Sequence, residues 1–256
     1  MKWIYEGRCG RGAVRQNNQD NLFVNGQWRR NLSEQELVSF SDVARQGIYA
    51  VCDGMGGESF GEEAALLAAQ SLYGVAPKTF FAAGAEHLCA INLEVCRLMR
   101  KRNSRIGTTF VGLTLLHGWG RIINIGDSRA YRLRNGRLEK LSRDHTQIQR
   151  LIDAGVTTPE QARTHPDRHK LTQHLGVFPE EMVIEPYVSK PFLLRRNDIF
   201  LLCSDGLTDM LTEQEIAVIL QSDLPLSEKT DRLYESAMRR GGKDNITVVL
   251  VQKLID

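Results

Sequence analysis

Strand-length apolar runs arrive in clusters along this chain and helical patterns arrive in consecutive pairs, and that order restricts the fold more than any other feature. Apolar, β-branched runs stand at 22–24, 48–52, 108–116, 121–125 and 130–133. Asn135-Gly136 then marks a tight turn returning into 137–141. Two later strands are expected at 198–203 and 246–251. Helical spacing shows at 62–73 and 79–102, where Leu88, Ile91, Val95, Leu98 and Met99 share one face, and again at 213–220 and 227–240. Hairpins beside paired helices predict an α+β domain with antiparallel sheets, not an alternating βαβ fold. The chain, residues 1–256, reads as a single domain. Within it, about 144–191 has short helical pieces, scattered prolines and histidines, the pattern of an inserted flap. The stretch 25–46 is longer than a tight hairpin needs and reads as an elaborated loop with a role in substrate choice.

The acids are placed in a telling way relative to these strands. Asp53, Asp127 and Asp205 follow apolar runs, whereas Asp20 and Asp244 stand just before them. In antiparallel sheets the ends of incoming strands and the starts of outgoing ones lie at one edge, so all five carboxylates are expected to converge there. One Asp after a strand is usually a turn former or a helix cap. Five in Gly-rich or Asn-rich settings point to a cation, because clustered carboxylates repel one another without one. Oxygen donors of this kind suit Mg²⁺, Mn²⁺ or Ca²⁺. The run Asp53-Gly54-Met55-Gly56-Gly57 also invites comparison with a dinucleotide fingerprint, but Ser59 stands where the third glycine should be. An acid at the strand end would moreover repel a pyrophosphate.

Composition removes several other classes. Lys plus Arg number 33 against 31 for Asp plus Glu, a net charge of +2 that gives no basic excess for nucleic acid. No apolar run approaches the ~18 residues of a membrane span, and Glu6 and Arg8 interrupt any leader-like start. The five cysteines form no C-x-x-C pair, which suits a reduced, cytoplasmic protein; Cys52 and Cys203 read as small core residues. His165 and His169, with His174, have spacing compatible with zinc or nickel, but no thiol or carboxylate completes a motif around them. Arg100-Lys101-Arg102 with Arg105 reads as the basic end of a helix.

Eight segments in order then resemble the metal-dependent Ser/Thr protein phosphatases of type 2C, the PPM family, in its bacterial form. They begin with Arg15-Gln16-Asn17-Asn18-Gln19-Asp20, Val51 through Gly57 (VCDGMGG), Gly107-Thr108-Thr109 and Ile125 through Arg129 (IGDSR). Arg143-Asp144-His145, Leu171 through Gly176 (LTQHLG), Cys203 through Asp209 (CSDGLTD) and Gly241 through Thr247 (GGKDNIT) complete the series. The resemblance implies a four-layer α-β-β-α sandwich with central antiparallel sheets and two Mn²⁺ or Mg²⁺ ions at one end. Asp53 would bridge both ions, the Gly54 carbonyl would bind one, and Asp205 and Asp244 would hold the other. Asp127 and Asp209 match the acids of a third, weaker site, Asp20 would act through water, and Arg15 would clamp the substrate phosphate. The implied reaction is attack on phosphoserine or phosphothreonine in proteins by a hydroxide bridging the two ions. The implied partners are phosphorylated proteins and a Hanks-type kinase, with no nucleic acid and no membrane, and a monomer is expected. Two departures stand out: Gln19 replaces a glutamate found in some relatives, and Met55 occupies the place of a proposed general acid His, leaving the acid unassigned. The alternative is a catalytically degenerate phosphatase fold that binds phosphorylated partners.

Overall fold

The computed structural model describes residues 2–33, 37–56, 60–162 and 165–254. The chain opens with β1 (Trp3–Gly10), β2 (Asp20–Val24), β3 (Gln27–Trp28), β4 (Val38–Ala44) and β5 (Gly47–Met55), then α1 (Gly61–Gln70) and α2 (Pro77–Arg102). Next come β6 (Gly107–Thr108), β7 (Phe110–Leu116), β8 (Trp119–Ile125), β9 (Arg129–Arg134) and β10 (Arg137–Lys140). The 144–191 stretch holds α3 (Gln147–Asp153), α4 (Pro159–Ala162) and β11 (Tyr187–Val188). The chain closes with β12 (Phe192–Leu193), β13 (Ile199–Cys203), α5 (Asp205–Thr208), α6 (Glu213–Gln221), α7 (Leu226–Arg239) and β14 (Ile246–Lys253). None of these helices is long and apolar enough to cross a membrane.

Two antiparallel sheets face each other. One runs β10-β9-β13-β14-β1-β4; the other runs β11-β8-β7-β5-β2-β3, with β12 added on β8 and β6 on β5. Alternation of side chains explains why the strand sequences read as continuous apolar runs: both faces are covered. Along β5, Tyr49 and Val51 point between the sheets, while Ala50 and Cys52 point to α1 and α2. Along β14, Val249 and Val251 point between the sheets, while Val248 and Leu250 meet Ile216 and Leu233 of α6 and α7. Three apolar layers therefore separate four layers of structure, the α-β-β-α arrangement.

Local chemistry fixes the helices against the sheets. Ala64, Ala65, Ala68 and Ala69 are fully buried, and these short side chains seat α1 closely on β5. Helix α2 starts with Pro77 at its first turn and ends at Asn103, in the left-handed region that caps helices. It kinks at Ala83, beside Gly84, where a Cβ would meet Ile123 Cδ1 of β8 at 2.1 Å. Its basic end is paired: Arg102 binds Glu63, Arg105 binds Glu181, and Arg100 lies 3.9 Å from Glu180.

Two expectations need correction. The stretch 25–46 is not a loop: its described part makes β3 and β4, and β4 is the sheet edge paired with β1. Its Ser39, Ser41 and Asp42 alternate with Val38, Phe40 and Val43, an exposed polar edge without the apolar signal of a core strand. The run 108–116 is not one strand, because Thr109 separates β6 from β7. That break has a role at the acidic edge.

Candidate metal centre

Asp20 opens β2 and lies directly opposite Asp53 of β5 in the strand register. Asp53 is thus inside its strand, not beyond it. Asp205 is the first residue of α5, immediately after β13 and Ser204; Asp127 sits in the turn from β8 to β9; Asp244 precedes β14 by two residues. The five acids expected at one edge are electrostatically coupled there: Asp53 feels Asp20, Asp205, Asp127 and Asp244. A cleft of about 750 Å³ opens beside them, lined by Asp127, Asp205 and Asp209 together with Arg129, Asp144 and His169.

The backbone at this edge is held by the motifs that the sequence sets around the acids. Thr109 breaks the strand because it bonds to Asp53 twice, its amide donating to the Asp53 carbonyl at 2.9 Å and its hydroxyl accepting from the Asp53 amide at 3.0 Å. Thr108 Oγ1 donates to the same carbonyl at 3.0 Å. Asn245 staples the Arg11–Gln19 strap: Nδ2 donates to the carbonyls of Arg11 and Asn17, and Oδ1 accepts from the Gln19 amide at 2.8 Å. Gly12 and Gly54 allow the close approach, since a Cβ on them would meet Asp244 O at 2.1 Å and Gly61 O at 2.3 Å. His145 clips the Asp127 turn, taking the Gly126 amide on Nδ1 at 3.2 Å and giving its own amide to the Gly126 carbonyl. Arg29, from the stretch expected to be a loop, is buried and donates to the carbonyls of Asn18 and Asp20 at 2.9 and 2.8 Å.

Burial and crowding dominate the electrostatics. Desolvation pushes the Asp20 carboxyl up to about 7, against hydrogen bonds from Ser204 and Thr247 at 2.7 Å to its Oδ2. Desolvation and the neighbouring acids raise Asp53 well above the carboxylate range and bring Asp127 to about 8. At Asp205 burial acts in the raising direction, but the hydrogen bond and charge of His169 outweigh it and hold the carboxyl low. Asp20 Oδ1 is buried with no hydrogen-bond partner. A cluster of oxygen donors that resists ionisation, with a buried carboxylate oxygen left over, fits hard divalent cations in number, charge and chemistry.

Arg15 reaches the mouth of the site, where Nη2 binds Asp244 Oδ2 at 2.6 Å; its side chain is 54% exposed. Asp209, at the end of α5, stands further out, near Arg168 and His169. His165 and His174 are occupied elsewhere, His165 with the Asp167 amide and His174 with the Leu175 carbonyl. His169 instead reaches the acids, with Nδ1 3.3 Å from Asp205 and Nε2 3.2 Å from Asp209. Its involvement was not legible in the sequence, since a residue far from every strand end carries no positional signal.

The model of one protein family, described as protein phosphatase 2C, matches residues 12–246. The chain belongs to the protein phosphatase 2C family. It is thereby an enzyme of the protein phosphatase class. Among its relatives, the serine/threonine phosphatase stp of Listeria innocua is 33% identical, over 97% of this chain and 95% of that protein. The protein phosphatase PhpP of Streptococcus pneumoniae is 35% identical, over 88% of this chain and 93% of that protein. The solved structure of the Mycobacterium tuberculosis serine/threonine phosphatase PstP/Ppp matches all of both chains with TM-score 0.83 and 31% identity. A structure of the catalytic domain of PstP in complex with two manganese ions matches 98% of this chain and 99% of that one, with TM-score 0.78 and 30% identity. Within the 2C phosphatase frame, Gln19 donates to Glu62 of α1 at 3.4 Å, so a carboxylate still stands beside the position where some members carry glutamate.

Proposed function

We propose that this 2C phosphatase is a single catalytic domain, with 144–191 as its flap, that removes phosphate from phosphoserine and phosphothreonine in proteins, using two Mn²⁺ or Mg²⁺ ions. The convergence of Asp20, Asp53, Asp205 and Asp244 at one end of the two facing sheets, with Asp20 Oδ1 left unpartnered, carries the reading. Asp53 would bridge the two ions, the Gly54 carbonyl would take one, and Asp205 and Asp244 the other; Asp127 and Asp209 would serve a third ion. Bound there, the cations supply Lewis acidity that activates water and offsets the phosphate's charge.

The chain's own residues do the rest. Asp20, held by Ser204 and Thr247, is a fixed acceptor for a water proton at its free oxygen. Arg15 is exposed and lightly tethered, so its planar fork can leave Asp244 for two phosphate oxygens. A cysteine nucleophile is disfavoured because burial pushes the Cys203 thiol up to about 12 and that of Cys9 up to about 11. Phosphorylated proteins are the substrates, opposing a Hanks-type kinase, and the protein acts as a cytoplasmic monomer. The test is hydrolysis of a phosphothreonine peptide and p-nitrophenyl phosphate with Mn²⁺, Mg²⁺ or EDTA. Turnover that EDTA abolishes and either cation restores is expected; EDTA-resistant turnover refutes the reading.

A further inference from the structure

Charge is divided between the two ends of the molecule, which the net charge of +2 conceals. The acids gather where β5 and β8 end. At the opposite end, Leu116 of β7 pairs with Trp119 of β8, and Trp119 pairs with Leu193 of β12. Directly paired residues share a sheet face, so the three form one cross-strand row. Val111, Leu113 and Leu115 of β7 and Phe192 of β12 pack between the sheets, so the row projects from the outer face. There Trp119 is 44% and Leu193 59% exposed. The surroundings of the row are basic. No acid occurs in 110–126, and the single acid of 186–198, Asp198, is buried and bound by Arg134 and the Arg195 amide. Lys190, Arg195 and Arg196 are exposed, and among the described residues their side chains have no partner. Arg121, on the same face as Trp119, donates to the carbonyls of Phe81 and Ser189, so no carboxylate offsets its charge.

We propose that this face adsorbs reversibly to an anionic lipid surface, with Trp119 and Leu193 at headgroup level and Lys190, Arg195 and Arg196 against the lipid phosphates. The resemblance to 2C phosphatases implies no membrane partner, and no helix is long and apolar enough to span one. Peripheral adsorption, however, needs neither a span nor a basic total. It needs an apolar anchor beside clustered cations, because either signal alone binds marginally. Tryptophan suits the anchor, since its ring favours the boundary between water and hydrocarbon. The row also stands beside the turn His117-Gly118, with both residues at positive φ, and such a convex tip enters headgroups without a matching groove. An apolar anchor between two proteins is instead received by a pocket. From Trp119 along β8 to Asp127 the chain advances about 25 Å, well beyond the ~10 Å over which salt screens a charge. The acidic cleft therefore faces away from the bilayer, open to protein substrates.

The test is flotation of the full-length protein, in EDTA, with phosphatidylcholine vesicles and with vesicles that also contain phosphatidylglycerol. EDTA keeps metal ions from bridging the acids to lipid phosphates, so the outcome is independent of the two-ion reading. Binding to the anionic vesicles alone is expected, weakening as salt is raised. Trp3 and Trp28 are buried, so brominated phosphatidylglycerol should quench Trp119, and the quenching should vanish in Trp119→Phe. Each cation removed near a lipid surface weakens binding by about 5-fold, so Arg195→Ala combined with Arg196→Ala should lose about 25-fold at unchanged Tm. The charge-matched pair Lys101→Ala with Arg150→Ala, on α2 and α3, should bind like the wild type. Absence of binding to anionic vesicles, equal binding to both kinds, quenching that survives Trp119→Phe, or equal losses in the two double variants overturns the proposal. Capture of a polyglutamate peptide by this face without vesicle binding would assign it to an acidic protein and overturn the proposal as well.

Discussion

Replacing Asp20 with Asn should move the stability of the metal-free protein progressively upward relative to the wild type as the pH rises. Asp20 is 1% exposed and titrates at about 7 in the fold, against 3.8 for the free side chain, chiefly because burial penalises its charge. A carboxyl with a raised folded pKa favours the protonated fold. Its contribution is fully present below about pH 4 and is lost as the pH rises through about 7. Each factor of ten is about 1.4 kcal/mol, so ionising Asp20 costs the fold about 4 kcal/mol in all, and about 2 kcal/mol of that falls between about pH 5 and about pH 7. Asn keeps an acceptor for Ser204 and Thr247 but puts an NH₂ where Oδ1 lacks a partner, a cost of about 1–3 kcal/mol at every pH. The absolute difference between the proteins mixes both effects, whereas its change with pH isolates the charge. Urea unfolding in EDTA should show the Asn variant gaining about 3 kcal/mol on the wild type between about pH 5 and about pH 8. A difference that stays constant with pH would refute the buried-charge argument.

Further outcomes follow from the same geometry. Asp53→Asn should leave a folded protein without detectable turnover, and unfolding in metal-free buffer with no gain in stability would show Asp53 to be structural rather than repelled. Arg15→Ala should lower kcat/KM for a phosphopeptide by about 10–100-fold, the worth of one charge-assisted contact at about 1.5–3 kcal/mol, with Mn²⁺ affinity unaltered by calorimetry. Gly54→Ala forces a methyl against the carbonyls of Gly61 and Gln19, at 2.3 and 2.5 Å, and should cost about 1–3 kcal/mol and weaken Mn²⁺ binding. Thr212→Ala removes one half of the capping box with Glu215 at the start of α6; a loss of about 1 kcal/mol should appear as a Tm about 2–4 °C lower, without change in metal affinity.

The acidic edge was legible because strand ends are legible. The apolar runs before Asp53, Asp127 and Asp205 and after Asp20 and Asp244 located each acid, and antiparallel pairing brought them together. Strand β1 was not among the expected strands, since Glu6 and Arg8 interrupt its apolar pattern. Both are nonetheless buried, as a pair, with Arg8 also binding Asp231 of α7. Strand β4 was missed because an edge strand facing water is written in Ser and Asp, the letters of a loop. Arg29 and His169 were illegible for a different reason. Each reaches the site through long-range folding of segments whose local sequence has neither periodicity nor a capping pattern, and only their contacts reveal them.

The central claim is that the acids at this edge hold a pair of divalent cations. Crystals of the protein soaked in Mn²⁺ and measured near the manganese absorption edge test it most directly. Two anomalous peaks sharing Asp53, one beside the Gly54 carbonyl and one between Asp205 and Asp244, are the predicted result. A map without peaks at that edge, with the carboxylates paired among themselves and to Arg15 and His169, would contradict it.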